Sequence, residues 1–135
     1  MDAIGNSTAP QLSERQGRAA LKAVLNLLEK WQCSTAEKKA LLGIEADSTF
    51  FKYQRTPERA KVGKDTLERL SYLLNIHAAL RILFSAPDSI YGWVRKPNKH
   101  PFFEGRSAMD VMLQGRVADL YEVMRRLNSE RGGWS

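Results

Sequence analysis

The sequence predicts an all-α fold: two short helices around a glycine turn, then a long helix leading into a small helical unit. Three observations carry this. Apolar residues recur every three to four positions in several segments, and none alternate with period two for long enough to require a sheet. Serines stand three residues before acidic side chains at Ser34–Glu37 and Ser107–Asp110, as helix-opening capping boxes do. Glycines at 43 and 115 then close the segments that those serines open.

The elements follow in order. Residues 1–16 are small and polar, with Asn6-Ser7-Thr8-Ala9-Pro10, and read as a flexible segment without a signal-peptide pattern. From Gly17 to Gln32, Leu21, Val24, Leu25, Leu28 and Trp31 form an apolar stripe opposite Arg18, Lys22, Asn26 and Glu29, so an amphipathic helix is predicted. A short helix runs from the Ser34 cap to Gly43. Asp47 is a cap candidate for a second, over Ser48-Thr49-Phe50-Phe51-Lys52-Tyr53-Gln54, with Phe50 and Phe51 pointing inward. Pro57 and Gly63 bracket a basic loop.

The longest pattern, Lys64 to Ser85, has Leu67, Leu70, Leu74, His77, Leu80 and Phe84 on one side, broadened by Leu73, Ile76 and Leu83. Such a wide stripe suggests contact on two sides and, with helix 17–32, hints at self-association. Pro87 ends that helix, Asp88 can cap a short one through Trp93, and Lys96 to Arg106 form a loop anchored by Phe102-Phe103. After the Ser107 helix, Val117, Leu120, Tyr121, Met124 and Leu127 define the inner face of the last helix, with Glu122 and Arg126 paired outside.

Composition limits the function classes. The 135 residues suit one or two small domains with a real core. No apolar run approaches the roughly 20 residues of a membrane span. A single cysteine, Cys33, excludes an internal disulfide and fits a reducing cytoplasm; packing suits it better than nucleophilic chemistry. His77, within a long apolar helix, reads as a core histidine, and neither it nor His100 has Cys, Asp or Glu at metal-ligand spacing. With no acid–base cluster and no phosphate loop, no enzyme, metal or cofactor is expected.

The net charge of +6 invites a polyanion. Lys52, Arg55, Arg59, Lys61 and Lys64 against Glu58 alone give +4 in thirteen residues, directly after the two short helices. On its own this run is either a solvated face or a phosphate-binding one. Leu41-Leu42-Gly43-Ile44 followed by Ser48-Thr49-Phe50-Phe51 resembles a helix-turn-helix, whose second helix enters the DNA major groove. On that reading Ser48, Thr49, Lys52, Gln54 and Arg55 face bases or phosphates, while Arg59, Lys61 and Lys64 add phosphate contacts. The turn is about one residue longer than usual, and Lys39 stands where a small residue is common.

Trp93, Pro97-Asn98, Phe102, Gly105-Arg106-Ser107-Ala108-Met109-Asp110, Gly115, Leu127 and Gly132-Gly133-Trp134 resemble the toxin-binding domain of the Xre/MbcA/ParS antitoxin family over residues 86–135. Ala108 replaces a frequent proline. The resemblance implies a type II antitoxin in three parts: a flexible segment 1–16, a DNA-binding and oligomerisation unit 17–86, and a toxin-binding domain 87–135 with an extended tail. It further implies that the chain covers the active site of an NAD+-degrading RES-domain toxin and represses its own operon. Partners would be that toxin, operator double-stranded DNA and further copies of the chain, without a membrane. A stand-alone repressor with a sensing or dimerising C-terminal half is the alternative.

Toxin-contact candidates are Arg106, Met109, Met112 and Arg116 on or beside the short helix, methionine and arginine being frequent at interfaces. Met109 and Met112 fit the core equally well. Arg131, Gly132, Gly133, Trp134 and Ser135 form a candidate reaching arm, its Trp either tucked back or destined for a partner's pocket.

Overall fold

Three serines open helices. The computed structural model describes residues 13–133, apart from the side chains of 131–133. Helix α1 (Glu14–Lys30) starts from Ser13, whose hydroxyl accepts from the Gln16 backbone while the Gln16 amide oxygen accepts from the Ser13 N–H. This box satisfies two otherwise free donors. It places residues 14–16 in the helix, three residues ahead of the expected start at Gly17. Residues 1–12, the rest of the expected flexible segment, lie outside the described residues.

Helix α2 (Thr35–Leu42) opens on the expected Ser34–Glu37 box. It closes on Gly43 in the left-handed region, at φ +70°. A side chain there would meet the Arg69 Nε and Asp65 Oδ2 atoms at 2.6 Å, so conformation and space both demand glycine. Helix α3 (Asp47–Arg55) follows. Asp47 is not its cap but its first residue, and the Asp47 carboxylate pairs with the Lys39 ammonium. That contact across the turn accounts for a long cationic side chain at position 39.

Phe50 is fully buried, but Phe51 is 42% exposed, which corrects the expectation that both point inward. Successive helical side chains lie about 100° apart. The inner face therefore takes Phe50 and the half-buried Tyr53, not Phe51. The basic loop that follows contains a 3-10 turn at Pro57–Arg59 and is fastened to α3 by the Tyr53 hydroxyl, which donates to the Lys61 carbonyl at 2.8 Å.

Helix α4 (Lys64–Leu83) packs against α1 on one side and against the last helix on the other. Thr66 Oγ1 donates to the Leu42 carbonyl at 2.8 Å, tying its start to the end of α2. Its broad apolar face is thus used within the chain, and self-association does not follow from that width.

Pro87 begins helix α5 (Pro87–Gly92) at the position where a missing N–H costs nothing, so Asp88 stands inside the helix and does not cap it. A 3-10 turn at Trp93–Arg95 leads into the expected loop. There Asn98 N–H donates to the Arg106 carbonyl at 3.0 Å, Gly105 N–H donates to the Asn98 carbonyl at 3.1 Å, and Phe103 is buried as anchor.

Helix α6 (Ala108–Met112) opens on the Ser107–Asp110 box, and Gly115 turns the chain at φ +92°. Helix α7 (Val117–Gly133) completes the fold. Leu21, Val24 and Leu28 of α1, Leu70, Leu73 and Ile76 of α4, and Leu120, Val123 and Leu127 of α7 belong to one continuous core. Among the described residues there is no strand, and no helix is long and apolar enough to cross a membrane.

Candidate functional site

Helix α3 presents Ser48, Phe51, Lys52 and Arg55 to solvent, spaced i, i+3, i+4 and i+7, hence on one stripe. Thr49 is half-buried at its edge. Gln54 stands on the flank, its Oε1 accepting from Lys38 Nζ at 3.5 Å. Lys38 is itself buried and paired with Glu29 of α1. Gln54 and Arg55 border a groove of about 340 Å³ between α1 and the 3-10 turn. Arg59, Lys61 and Lys64 are exposed, Lys64 as the first residue of α4, and the Tyr53 hydrogen bond fastens the preceding loop to α3 at Lys61. The structure therefore brings Ser48, Lys52 and Arg55 together on one face, with Gln54 on the flank toward Lys38.

The candidates in the C-terminal half separate more sharply. Met109 and Met112 are each 1% exposed and pack in the core. Of the two readings open to them this burial favours packing, since the apolar side chains of the short α6 all serve to seat it. Arg106 is half-buried, donating from Nε to the Phe103 carbonyl at 2.9 Å and from Nη2 to the Phe102 carbonyl at 3.2 Å, so it braces the loop. Arg116 lies on the surface beside the start of α7, its Nη2 2.8 Å from the buried Asp119 carboxylate, which also accepts the Arg116 backbone N–H. The Asp119 hydrogen bond keeps the Arg116 guanidinium firmly protonated.

Arg106 and Arg116 border a groove of about 370 Å³ with Phe102, Asp119, Glu122 and Arg126. The Arg126 guanidinium lies 4.2 Å from the centre of the Phe102 ring and 2.8 Å from Glu122, the expected i, i+4 pair. Arg131, Gly132 and Gly133 belong to α7, so the first part of the expected reaching arm continues the helix. Trp134 and Ser135 lie outside the described residues.

Two arginines give no sign of their role in the sequence. Arg95 donates to the Trp31 carbonyl at 2.9 Å, the Gln32 carbonyl at 3.2 Å and the Glu37 carboxylate at 2.9 Å, tying the start of the C-terminal loop to the corner between α1 and α2. The Arg95 hydrogen bond holds the Glu37 carboxyl below its ordinary range, with further help from the Ser34 backbone. Arg69 is buried on α4 and reaches Ala40 at 3.2 Å and Gly115 at 2.9 Å. Partners 29 and 46 residues away leave no local sequence signal.

Half-buried His77 stacks on Tyr91, with ring centres 5.6 Å apart, and burial lowers its pKa. The expectation is a satisfied core histidine, yet its buried Nδ1 has no hydrogen-bond partner among the described residues. The Cys33 thiol is pushed up to about 11 by burial, against the opposing pull of Arg95, as suits a packing residue. Among the described residues no group of three or more His, Cys, Asp or Glu is placed to hold a metal ion.

Comparison with known proteins gives this geometry a family. Residues 10–75 match the antitoxin Xre-like helix-turn-helix domain, and residues 79–133 match the antitoxin Xre/MbcA/ParS C-terminal toxin-binding domain. The two matches meet inside α4, the helix shared by both packed halves. The chain is similar to an uncharacterized protein of Sinorhizobium fredii, y4oB, with 40% identity over 126 residues, covering 93% of this chain and 95% of that relative. No solved structure matches. A helix-turn-helix domain with a basic outer face, packed through α4 onto a toxin-binding domain, places the chain in the Xre/MbcA/ParS antitoxin family.

Proposed function

We propose that this antitoxin neutralises a RES-domain, NAD+-degrading toxin by covering its active site, and represses its own operon through α3 and the adjoining basic loop. The reading assigns the protein to the cytoplasm and a non-catalytic role. The observation that carries the DNA half is the solvent-facing stripe of Ser48, Lys52 and Arg55, followed along the chain by the exposed Arg59, Lys61 and Lys64. Thr49 and Gln54 take part from the edges. Cations on one face supply the salt-dependent attraction to phosphates, and the short helix supplies side chains for base edges.

The toxin half rests on the C-terminal family match. The choice of a RES-type partner rests on the resemblance of the Gly132-Gly133-Trp134 ending to that branch of the family. Arg106 and Arg116, which border the groove between the 96–107 loop and α7, are its candidate contacts. Arg131, Gly132, Gly133, Trp134 and Ser135 are further candidate contacts by that same resemblance. Operator half-sites on a two-fold axis would call for a dimer or a higher assembly.

The test is co-expression with the product of the adjacent gene. Rescue of growth and of cellular NAD+, with a complex of defined mass, supports the reading. Operator binding without any toxic neighbour favours the stand-alone repressor. Removing residues 131–135 and retaining full neutralisation would exclude the tail from the mechanism.

A further inference from the structure

We propose that Phe51 reads a thymine in the operator through the thymine C5-methyl group; this rests on the DNA-binding reading of α3. Among the described residues the exposed large apolar side chains are Phe51 and Ile82, and only Phe51 lies in the basic face. It sits between Ser48 and Arg55 on the exposed stripe, beside Lys52. Its ring stands edge-on to the fully buried Phe50, with centres 5.3 Å apart and planes at 70°, so a fixed residue supports it from below. A ring held in this way loses little freedom when it docks.

The charge around the ring selects the occupant. Residues 52–64 carry a net +4, so a second copy of this face would be repelled, whereas a duplex would be attracted. The apolar group that a duplex offers in its major groove is the thymine methyl, and phenyl contact with it distinguishes thymine from cytosine. Ser48, Lys52 and Arg55 then hold phosphates or base edges on either side, and Phe51 adds a contact that carries sequence information.

The experiment uses the full chain and duplex DNA from upstream of its own gene. Footprinting first locates the protected site; its absence would overturn the DNA reading and the proposal with it. Each thymine in the site is then replaced singly by deoxyuridine, which removes only the methyl group. With the unaltered chain, one position per half-site should weaken binding by about three- to fivefold, the value of one buried methyl. Phe51→Ala should bind the natural site more weakly and be indifferent to that replacement, while Phe51→Leu should retain part of the sensitivity.

A protected site at which no replacement matters would overturn the role of Phe51 and leave the DNA reading standing. So would a Phe51→Ala protein that loses an oligomer while keeping its response to deoxyuridine. The deoxyuridine scan on the unaltered chain does not depend on how any variant folds.

Discussion

The Arg69 guanidinium of α4 donates to the carbonyl of Gly115, in the turn between α6 and α7, at 2.9 Å. The same group donates to Ala40 near the end of α2 at 3.2 Å, and its Nε is 2.9 Å from Asp65. One buried side chain thus fastens the helix-turn-helix to the turn that opens α7. Gly43 lies directly against it, which is why that turn has no room for a side chain.

Arg69→Ala is expected to cost about 2–3 kcal/mol, since hydrogen bonds from a charged donor disappear and two carbonyls are left without their partner. Arg69→Lys should recover little, because one ammonium cannot span the positions of a planar fork. Urea unfolding of the two variants checks this. Loss of signal from only one half of the chain would show that Arg69 does not join them.

Met109→Ala is expected to destabilise the protein by about 2–5 kcal/mol, as removal of a buried side chain in a core does. Its effect on toxin neutralisation should vanish at temperatures where the variant remains folded. Weaker toxin affinity in a fully folded Met109→Ala protein would return this residue to the interface.

The Glu37–Arg95 pair sets an acid limit. Arg95 first, then the Ser34 backbone, holds the Glu37 carboxyl below its ordinary 4.5. Its contribution is therefore fully present above about 4.5, the value in the unfolded chain, and is lost as pH falls through the lower folded value. Thermal melts between about pH 3 and 7 should show a steeper acid decline for the native chain than for Glu37→Gln. Parallel curves would mean that the pair contributes nothing.

Lys52→Ala combined with Arg55→Ala should weaken operator binding and flatten the slope of log affinity against log salt by about 2, near one for each phosphate that is no longer neutralised. Neutralisation of the toxin should survive, because both side chains lie on α3 and neither borders the groove of Arg106 and Arg116. Simultaneous failure of both functions in a folded protein would refute this division.

Much of the architecture is legible along the chain because it is written in local signals. The Ser34–Glu37 and Ser107–Asp110 boxes and the glycines at 43 and 115 act within a turn of their own position, and each forms as expected. The Ser13–Gln16 box is equally local but lies inside a polar stretch whose composition resembles a flexible segment. Phe51 defeats a reading by apolar character alone: adjacent helical side chains lie about 100° apart, and on α3 the core covers only the side that carries Phe50 and Tyr53.

Three things follow from the order of residues without any coordinates: the chain is helical, a basic segment follows a glycine turn between short helices, and the family resemblance is visible. Helix period, caps and charge are properties of neighbours along the chain. Packing in three dimensions settles which of those residues reach solvent: Met109 and Met112 go into the core, and Phe51 comes to the surface. Packing also creates the ties made by Arg69 and Arg95, whose backbone partners lie 29 to 64 residues away. Such bonds exist only once distant backbone carbonyls come within about 3 Å of a guanidinium, and no local pattern encodes that distance.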